Sequence, residues 1–148
     1  MSGYDSESFV ITLLDRFPEV RPSFEADEDA YMTDAVDRQK GWGPYLLIPL
    51  MGDLIVEGLL RPVLTDGTLD HQRAALLRRV NLLCDEMFEL GDSIVRAAAD
   101  EVIEALALGG FDQETIRRHL TGHSLDYYRL IRRAHGHAGG LALAHTCR

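Results

Sequence analysis

The chain reads as an all-α, single-domain bundle of six or seven helices. Three observations carry that reading. Apolar residues recur at helical spacing in one segment after another. Glycine, proline and N-capping residues punctuate those segments at short intervals. No alternating apolar and polar run finds a second run of similar quality to pair with. At 148 residues and 46% hydrophobic, the chain has the length and composition for one real core. The domain is assigned residues 1–136, followed by a flexible C-terminal tail over 137–148.

Phe9, Val10, Leu13, Leu14 and Phe17 share one helix face; Asp5 or Ser6 is placed to cap it, and Pro18 ends it. Pro22 and an acidic stretch follow. Ala30 to Arg38 suits a short exposed helix that stops at Gly41-Trp42-Gly43-Pro44. Leu46 to Leu60 is the most apolar stretch. Pro49 fits the first turn of a helix running to about Arg61, where Pro62 halts it. Tyr45 to Leu50 also reads as a short buried strand, but without a partner. Thr65-Asp66-Gly67 is a turn. Leu76, Leu77, Val80, Leu83, Cys84, Met87 and Leu90 mark one long amphipathic helix from about Asp70 to Leu90. Gly91 fits its C-cap. Asp92 or Ser93 caps the next helix, which carries Val95, Ala98, Ala99, Val102, Ile103 and Leu106 to Gly109-Gly110. Asp112 caps a short helix ending at Gly122, and Ser124 caps another ending near Gly136.

Charge is distributed unevenly along the chain. The net charge is −9. Residues 1–70 hold fourteen Asp and Glu against five Lys and Arg, whereas residues 71–148 hold ten of each. Six acids and no base lie between Glu25 and Asp37. Such a field repels nucleic acid and anionic membrane and attracts basic protein surfaces. The expectation is therefore no nucleic acid and no membrane partner. Leu46 to Leu60 falls short of the roughly eighteen apolar residues of a membrane span, and Asp53 and Glu57 interrupt it. The acidic N-terminus lacks the basic and apolar regions of a secretory signal. Cys84 and Cys147 are too few and too far apart for a disulfide framework. The expected compartment is the reduced cytoplasm.

Chemistry-bearing motifs are scarce. The sequence has no Gly-rich phosphate loop, no Gly-x-Ser-x-Gly elbow and no His-Glu-x-x-His. Cys84 sits on the apolar face of its helix and reads as packing rather than as a nucleophile. No catalytic residue, cofactor or metal ligand is assigned. His119, His123, His135, His137 and His145 crowd the C-terminal region with Cys147. His119 and His123, four apart, would share one helix face if Gly122 did not interrupt it. A His-rich helix end suits the helix dipole as well. A metal-binding sensor or enzyme built on these histidines stands as an alternative reading. Arg117, Arg118, Arg129, Arg132 and Arg133, interleaved with Tyr127 and Tyr128, make this end basic. It fits an internal counterweight to the acidic half better than a nucleic-acid surface.

The best candidate for a partner-binding surface is therefore Glu25, Asp27, Glu28, Asp29, Asp34 and Asp37, with Tyr31 and Trp42 as aromatic anchors. Trp42 lies between two glycines and before a proline, which places it on a bend.

Two resemblances extend this reading. Leu90-Gly91-Asp92-Ser93-Ile94-Val95-Arg96-Ala97-Ala98-Ala99, with Val102 and Leu106, resembles the second helix of a HEAT-type repeat. One unit implies a helical hairpin, since a solenoid needs about three. More broadly, Phe9 to Glu19, Pro49-Leu50-Met51-Gly52-Asp53-Leu54, Cys84-Asp85-Glu86-Met87, Gly91 to Val95 and Val102 to Leu106 follow a familiar order. Over about residues 8–108 they resemble small helical immunity proteins of bacterial polymorphic-toxin and contact-dependent-inhibition loci. That resemblance implies a cytoplasmic, non-enzymatic protein that binds and blocks one cognate toxin domain. The acidic, aromatic-edged surface supplies the expected mechanism, occlusion of a basic active-site cleft. A helical protein-interaction adaptor is the other alternative. The apolar stretch over 46–60 suits a core or a dimer seam equally, so oligomeric state is open.

Overall fold

The computed structural model describes residues 4–65 and 70–146, with side chains to residue 136. Among the described residues the protein is all-α, as the periodicity predicts. Helix α1 spans Phe9–Arg16. A 3₁₀ turn at Pro18–Val20 leads into α2, Arg21–Ala26. Two short helices follow, α3 at Glu28–Tyr31 and α4 at Ala35–Gln39. Helix α5, Leu47–Met51, runs into a π-helical segment, Gly52–Leu60, and then α6, Arg61–Val63. The long elements come last: α7 at Asp70–Leu90, α8 at Ser93–Leu108, α9 at Gln113–His119 and α10 at Gly122–Thr146.

Helix α8 is the hub. It packs against α5, the π segment, α7, α9 and α10. Val95, Ala98, Ala99, Val102, Ile103, Leu106 and Ala107 are fully or almost fully buried on it. Three of those seven are alanines, so neighbouring backbones approach closely on several sides. Around this stem, α7 supplies Leu77, Val80, Leu83, Cys84 and Met87, while α1 supplies Phe9 and Leu13. Leu47, Leu50, Met51, Ile55 and Leu60 close the core from α5 and the π segment. Among the described residues no helix is long and apolar enough to cross a membrane.

The α7–α8 hairpin turns as its caps dictate. The Gly91 amide donates to the Met87 carbonyl at 3.0 Å. The Asp92 carboxylate accepts from the Ile94 and Val95 amides at 3.1 and 2.9 Å. Its second oxygen accepts from the Ser6 amide at 2.8 Å, so one cap also anchors the N-terminal segment. Beside it, Arg16 and the Tyr4 hydroxyl both donate to Glu86. The Arg16 guanidinium holds the Glu86 carboxyl below its ordinary range.

Several elements depart from the periodicity. The helix expected from Ala30 to Arg38 is two helices. At Met32 the chain turns extended and forms an antiparallel bridge with Tyr45. The Leu46 amide donates to the Tyr31 carbonyl at 2.7 Å and the Thr33 amide to the Pro44 carbonyl at 3.0 Å. The bridge satisfies backbone groups that a continuous helix would have used internally. Pro62 does not halt its helix, which continues to Val63 with Pro62 in the first turn of α6. The π winding also escapes an α-helical reading. Its buried residues, continued from α5, are Leu47, Leu50, Met51, Leu54, Ile55, Val56 and Leu60, and through Ile55 they keep the three-and-four spacing of an α-helix, so the pattern carries no mark of the π winding. The N-terminal cap works through an extra turn: Asp5 accepts from the Ser8 amide and hydroxyl, one residue before α1.

The start of α10 is the largest surprise. It begins at Gly122, and Ser124 is not its cap. The Ser124 amide and hydroxyl both donate to Asp85 of α7, at 2.8 and 2.7 Å. Asn81, one turn earlier, exchanges hydrogen bonds with the Thr121 amide and hydroxyl. Helix α7 thus caps α10 across the fold. Gly122 has φ +61, and a Cβ there would lie 2.5 Å from Asp85 Oδ2, so this corner needs glycine. Helix α10 then continues through Gly136 to Thr146. The turn predicted at Thr65-Asp66-Gly67 falls largely outside the described residues, as do the side chains of His137, His145 and Cys147.

Candidate functional site

The acidic segment is shaped by the hydrogen bonds its own side chains make. Asp34 and Asp37 form a reciprocal capping box on α4: Asp34 accepts from the Asp37 amide at 2.8 Å, and Asp37 accepts from the Asp34 amide at 3.4 Å. Glu28 accepts a hydrogen bond from the Tyr45 hydroxyl. That bond and burial push the Tyr45 phenol up to about 12. Three of the six predicted acids therefore have local structural partners. The carboxylates of Glu25, Asp27 and Asp29 make no hydrogen bond or ion pair among the described residues, and all three residues are exposed.

Tyr31 departs from its predicted role as an exposed anchor. It is only 7% exposed and belongs to the core. Its hydroxyl donates to Asp53 at 2.8 Å. Burial, with Asp53 beside it, pushes the Tyr31 phenol up to about 12. The ring therefore secures the acidic segment to the π segment and leaves no face for a partner.

Trp42 remains on the surface, 41% exposed. The Trp42 amide donates to the Asp37 carbonyl at 3.2 Å, which ties its bend to the end of α4. The adjacent Gly43 lies against the N-terminal segment so closely that a Cβ would sit 2.2 Å from the Ser6 carbonyl oxygen. That contact fixes the bend and aims the indole outward. Trp42 lines a groove of about 390 Å³ with Leu47, Ile48, Pro49, Ile94 and Ala97. Its walls are almost wholly apolar apart from Ser93. Ile48 is 38% exposed within it. An apolar concavity with an exposed Trp at its edge suits the insertion of a partner's apolar side chain. The groove adjoins the acidic segment through the backbone bridge at Tyr31 and Leu46 and the Glu28–Tyr45 bond.

Sequence reasoning named Trp42 but missed Ile48, Pro49, Ile94 and Ala97. Ile48 lies in a run where every neighbour is apolar, so pattern alone cannot separate its exposed face from its buried one. Ile94 and Ala97 sit at the margin of the buried stripe of α8 and carry no signal of their own.

The basic end does not meet the acidic segment. Among the described residues, α9 holds the ion pair of Arg117 with Glu114, and His123 Nε2 of α10 lies 3.3 Å from a Glu89 carboxylate oxygen. The two halves are joined elsewhere, by Arg16–Glu86 and by Arg79–Glu19 at 2.7 Å. The expected internal counterweight is thus not a contact. His119 and His123 do not share a helix face either. His119 ends α9 and His123 lies in the first turn of α10, because the chain turns at Thr121-Gly122. Among the described residues no group of three or more His, Cys, Asp and Glu converges as metal ligands would. Cys84 is fully buried, and burial pushes its thiol far up, away from the reactive thiolate.

Compared with family models, with curated proteins and with solved structures, the chain finds no match.

Proposed function

We propose that the protein is a binding inhibitor of a basic protein domain, and specifically a cytoplasmic immunity protein for one cognate toxin. One observation carries this reading above the others. An apolar groove edged by exposed Trp42 adjoins a segment whose Glu25, Asp27 and Asp29 carboxylates have no internal partner. The groove supplies a desolvated anchor point, and the free carboxylates supply attraction toward a cationic cleft. Inhibition follows from occlusion: carboxylates docked on a basic active site stand where substrate anions would bind. A tight complex requires an interface of about 1,200–2,000 Å² with a few buried anchors, so the groove and the acidic edge act together. The site residues of this reading are Trp42 and Ile48 in the groove and Glu25, Asp27 and Asp29 on the acidic segment tied to it through Tyr31 and Asp37.

The test is capture followed by neutralisation. Tagged wild-type protein is expected to retain a basic protein from source lysate. A variant carrying W42A with E25K, D27K and D29K is expected to lose it. The captured domain, expressed alone, is expected to arrest growth, and co-expression of the wild-type chain to restore it. A captured partner that is harmless when expressed alone would instead make the protein an adaptor.

A further inference from the structure

The opposite end of the molecule carries a second concavity that the inhibitor reading does not use. It lies between α9 and α10, about 450 Å³ in volume, and is lined by Gln113, Arg117, Tyr128, Arg129, Arg132 and Arg133. Four guanidinium groups converge on it from two helices, and no carboxylate lines it. Arg129 and Arg133 are four residues apart on α10, and Arg129 and Arg132 three apart. Like charges at these spacings repel on a helix surface.

The groove is organised beneath those charges. Gln113 is fully occupied: its amide nitrogen donates to the Leu106 and Phe111 carbonyls, and its oxygen accepts from the Tyr128 hydroxyl. Tyr128 is buried, so the floor is fixed. Arg132 donates to the Ala107 carbonyl at 3.0 Å, satisfying one of the acceptors at the end of α8 and holding its guanidinium in place. Arg117 is partly offset by Glu114 on the rim. The guanidinium groups of Arg129 and Arg133 make no hydrogen bond or ion pair among the described residues. Asp126, one turn earlier on α10, is the nearest acid along that helix and is exposed. The unspent binding capacity of the groove is therefore several planar, permanently charged donors aimed from two sides.

We propose that this groove binds a small polyphosphate anion. Guanidinium forks match phosphoryl oxygens bidentately, and a ligand with two or more linked phosphoryl groups meets donors on both helices at once. Arg129 and Arg133 are the primary contacts, Arg117 faces them from α9, and Arg132 is held as a positioning charge. A pocket of this volume is within the range of small-ligand sites.

Isothermal titration with inorganic tripolyphosphate, at ionic strength matched with sodium chloride, tests the assignment. The wild-type protein is expected to bind it saturably at one site. R129A/R133A is expected to weaken binding at least about tenfold, the loss of two charge-assisted contacts. R78A/R118A removes the same charge from the neighbouring groove between α7 and α9 and is expected to change affinity less than about threefold. Circular dichroism should show both variants folded, since all four residues are exposed. No saturable binding, or equal losses in the two variants, would overturn the site in favour of a diffuse field. Equal affinity for citrate would overturn the phosphate assignment.

Discussion

Residues 18–46 and the α7–α8 hairpin hold their shape in different ways. The hairpin is held chiefly by packing: its inward side chains are almost completely excluded from water, and its polar groups cap the Asp92 corner or, at Arg79, Asn81, Asp85 and Glu86, reach out to neighbouring segments. Residues 18–46 bury few side chains, chiefly Val20, Phe24 and Tyr31. Their helices are four to six residues long, too short to persist unaided. They are held by Asp34–Asp37, Glu28–Tyr45, Tyr31–Asp53 and a single backbone bridge. The difference bears directly on function. The hairpin's packing does not depend on its exposed charges, even where these have partners, as Arg79 has in Glu19. In the acidic segment, half of the acids already have structural work, and only the remainder is available to a partner.

Substitutions of descending effect sharpen this contrast. Leu77→Ala, at a fully buried site of α7, is expected to cost about 2–5 kcal/mol in urea unfolding. A cost below about 1 kcal/mol would mean that packing is not what holds the hairpin. Asp85→Ala comes next, at about 2–3 kcal/mol, because it leaves the amide and hydroxyl of Ser124, which is 0% exposed, without their acceptor. Hydrogen exchange should place the first loss of protection at the start of α10. Asp34→Ala removes the cap of α4 and is expected to cost about 0.5–2 kcal/mol, with exchange rising locally over residues 33–40. Arg79→Ala breaks a half-exposed pair with Glu19 and a stacking contact 4.6 Å above the Phe17 ring. Its cost should not exceed about 1 kcal/mol.

The ion pairs that involve α7 and the hydrogen-bonded phenols of residues 18–46 respond to pH in opposite directions. Glu86 and Glu19 are held below their ordinary value of 4.5 by Arg16 and Arg79. The unfolded chain therefore binds more protons at acidic pH. The stability these pairs contribute is present above about pH 4.5 and is lost as pH falls through the folded values. The phenols of Tyr31 and Tyr45 run the other way, raised from 10.0 to about 12. Their contribution is complete below about pH 10 and disappears as pH rises toward 12. Phenolate absorption during an alkaline titration checks this: Tyr31→Phe should remove one late-titrating group. Its loss from the early phase instead would contradict the burial and the Asp53 bond.

What the sequence made legible follows from the range of the interaction concerned. The caps by Asp92 and Asp112 and the buried face of α7 depend on residues within a few positions of one another, so spacing exposes them. Asp85 and Ser124 lie 39 positions apart, and nothing local marks the pair. Asp34-Ala35-Val36-Asp37 has the spacing of a capping box, but it was hidden inside an apparent helix because the bridge that breaks that helix comes from Tyr45. Trp42 was legible as a bend residue. Its groove was not, since Ile48 has only apolar neighbours and Ile94 belongs to a helix far along the chain.

The central claim is that Glu25, Asp27 and Asp29 beside the Trp42 groove form the partner surface. Association kinetics with the captured partner test it most directly, comparing the wild-type chain with E25K/D27K/D29K at low and high salt. The triple reversal touches no internal hydrogen bond and should leave stability within about 0.5 kcal/mol. Association at low salt is expected to slow at least about tenfold, and the wild-type fall in rate with added salt is expected to disappear. An unchanged rate at both salt concentrations would contradict the account.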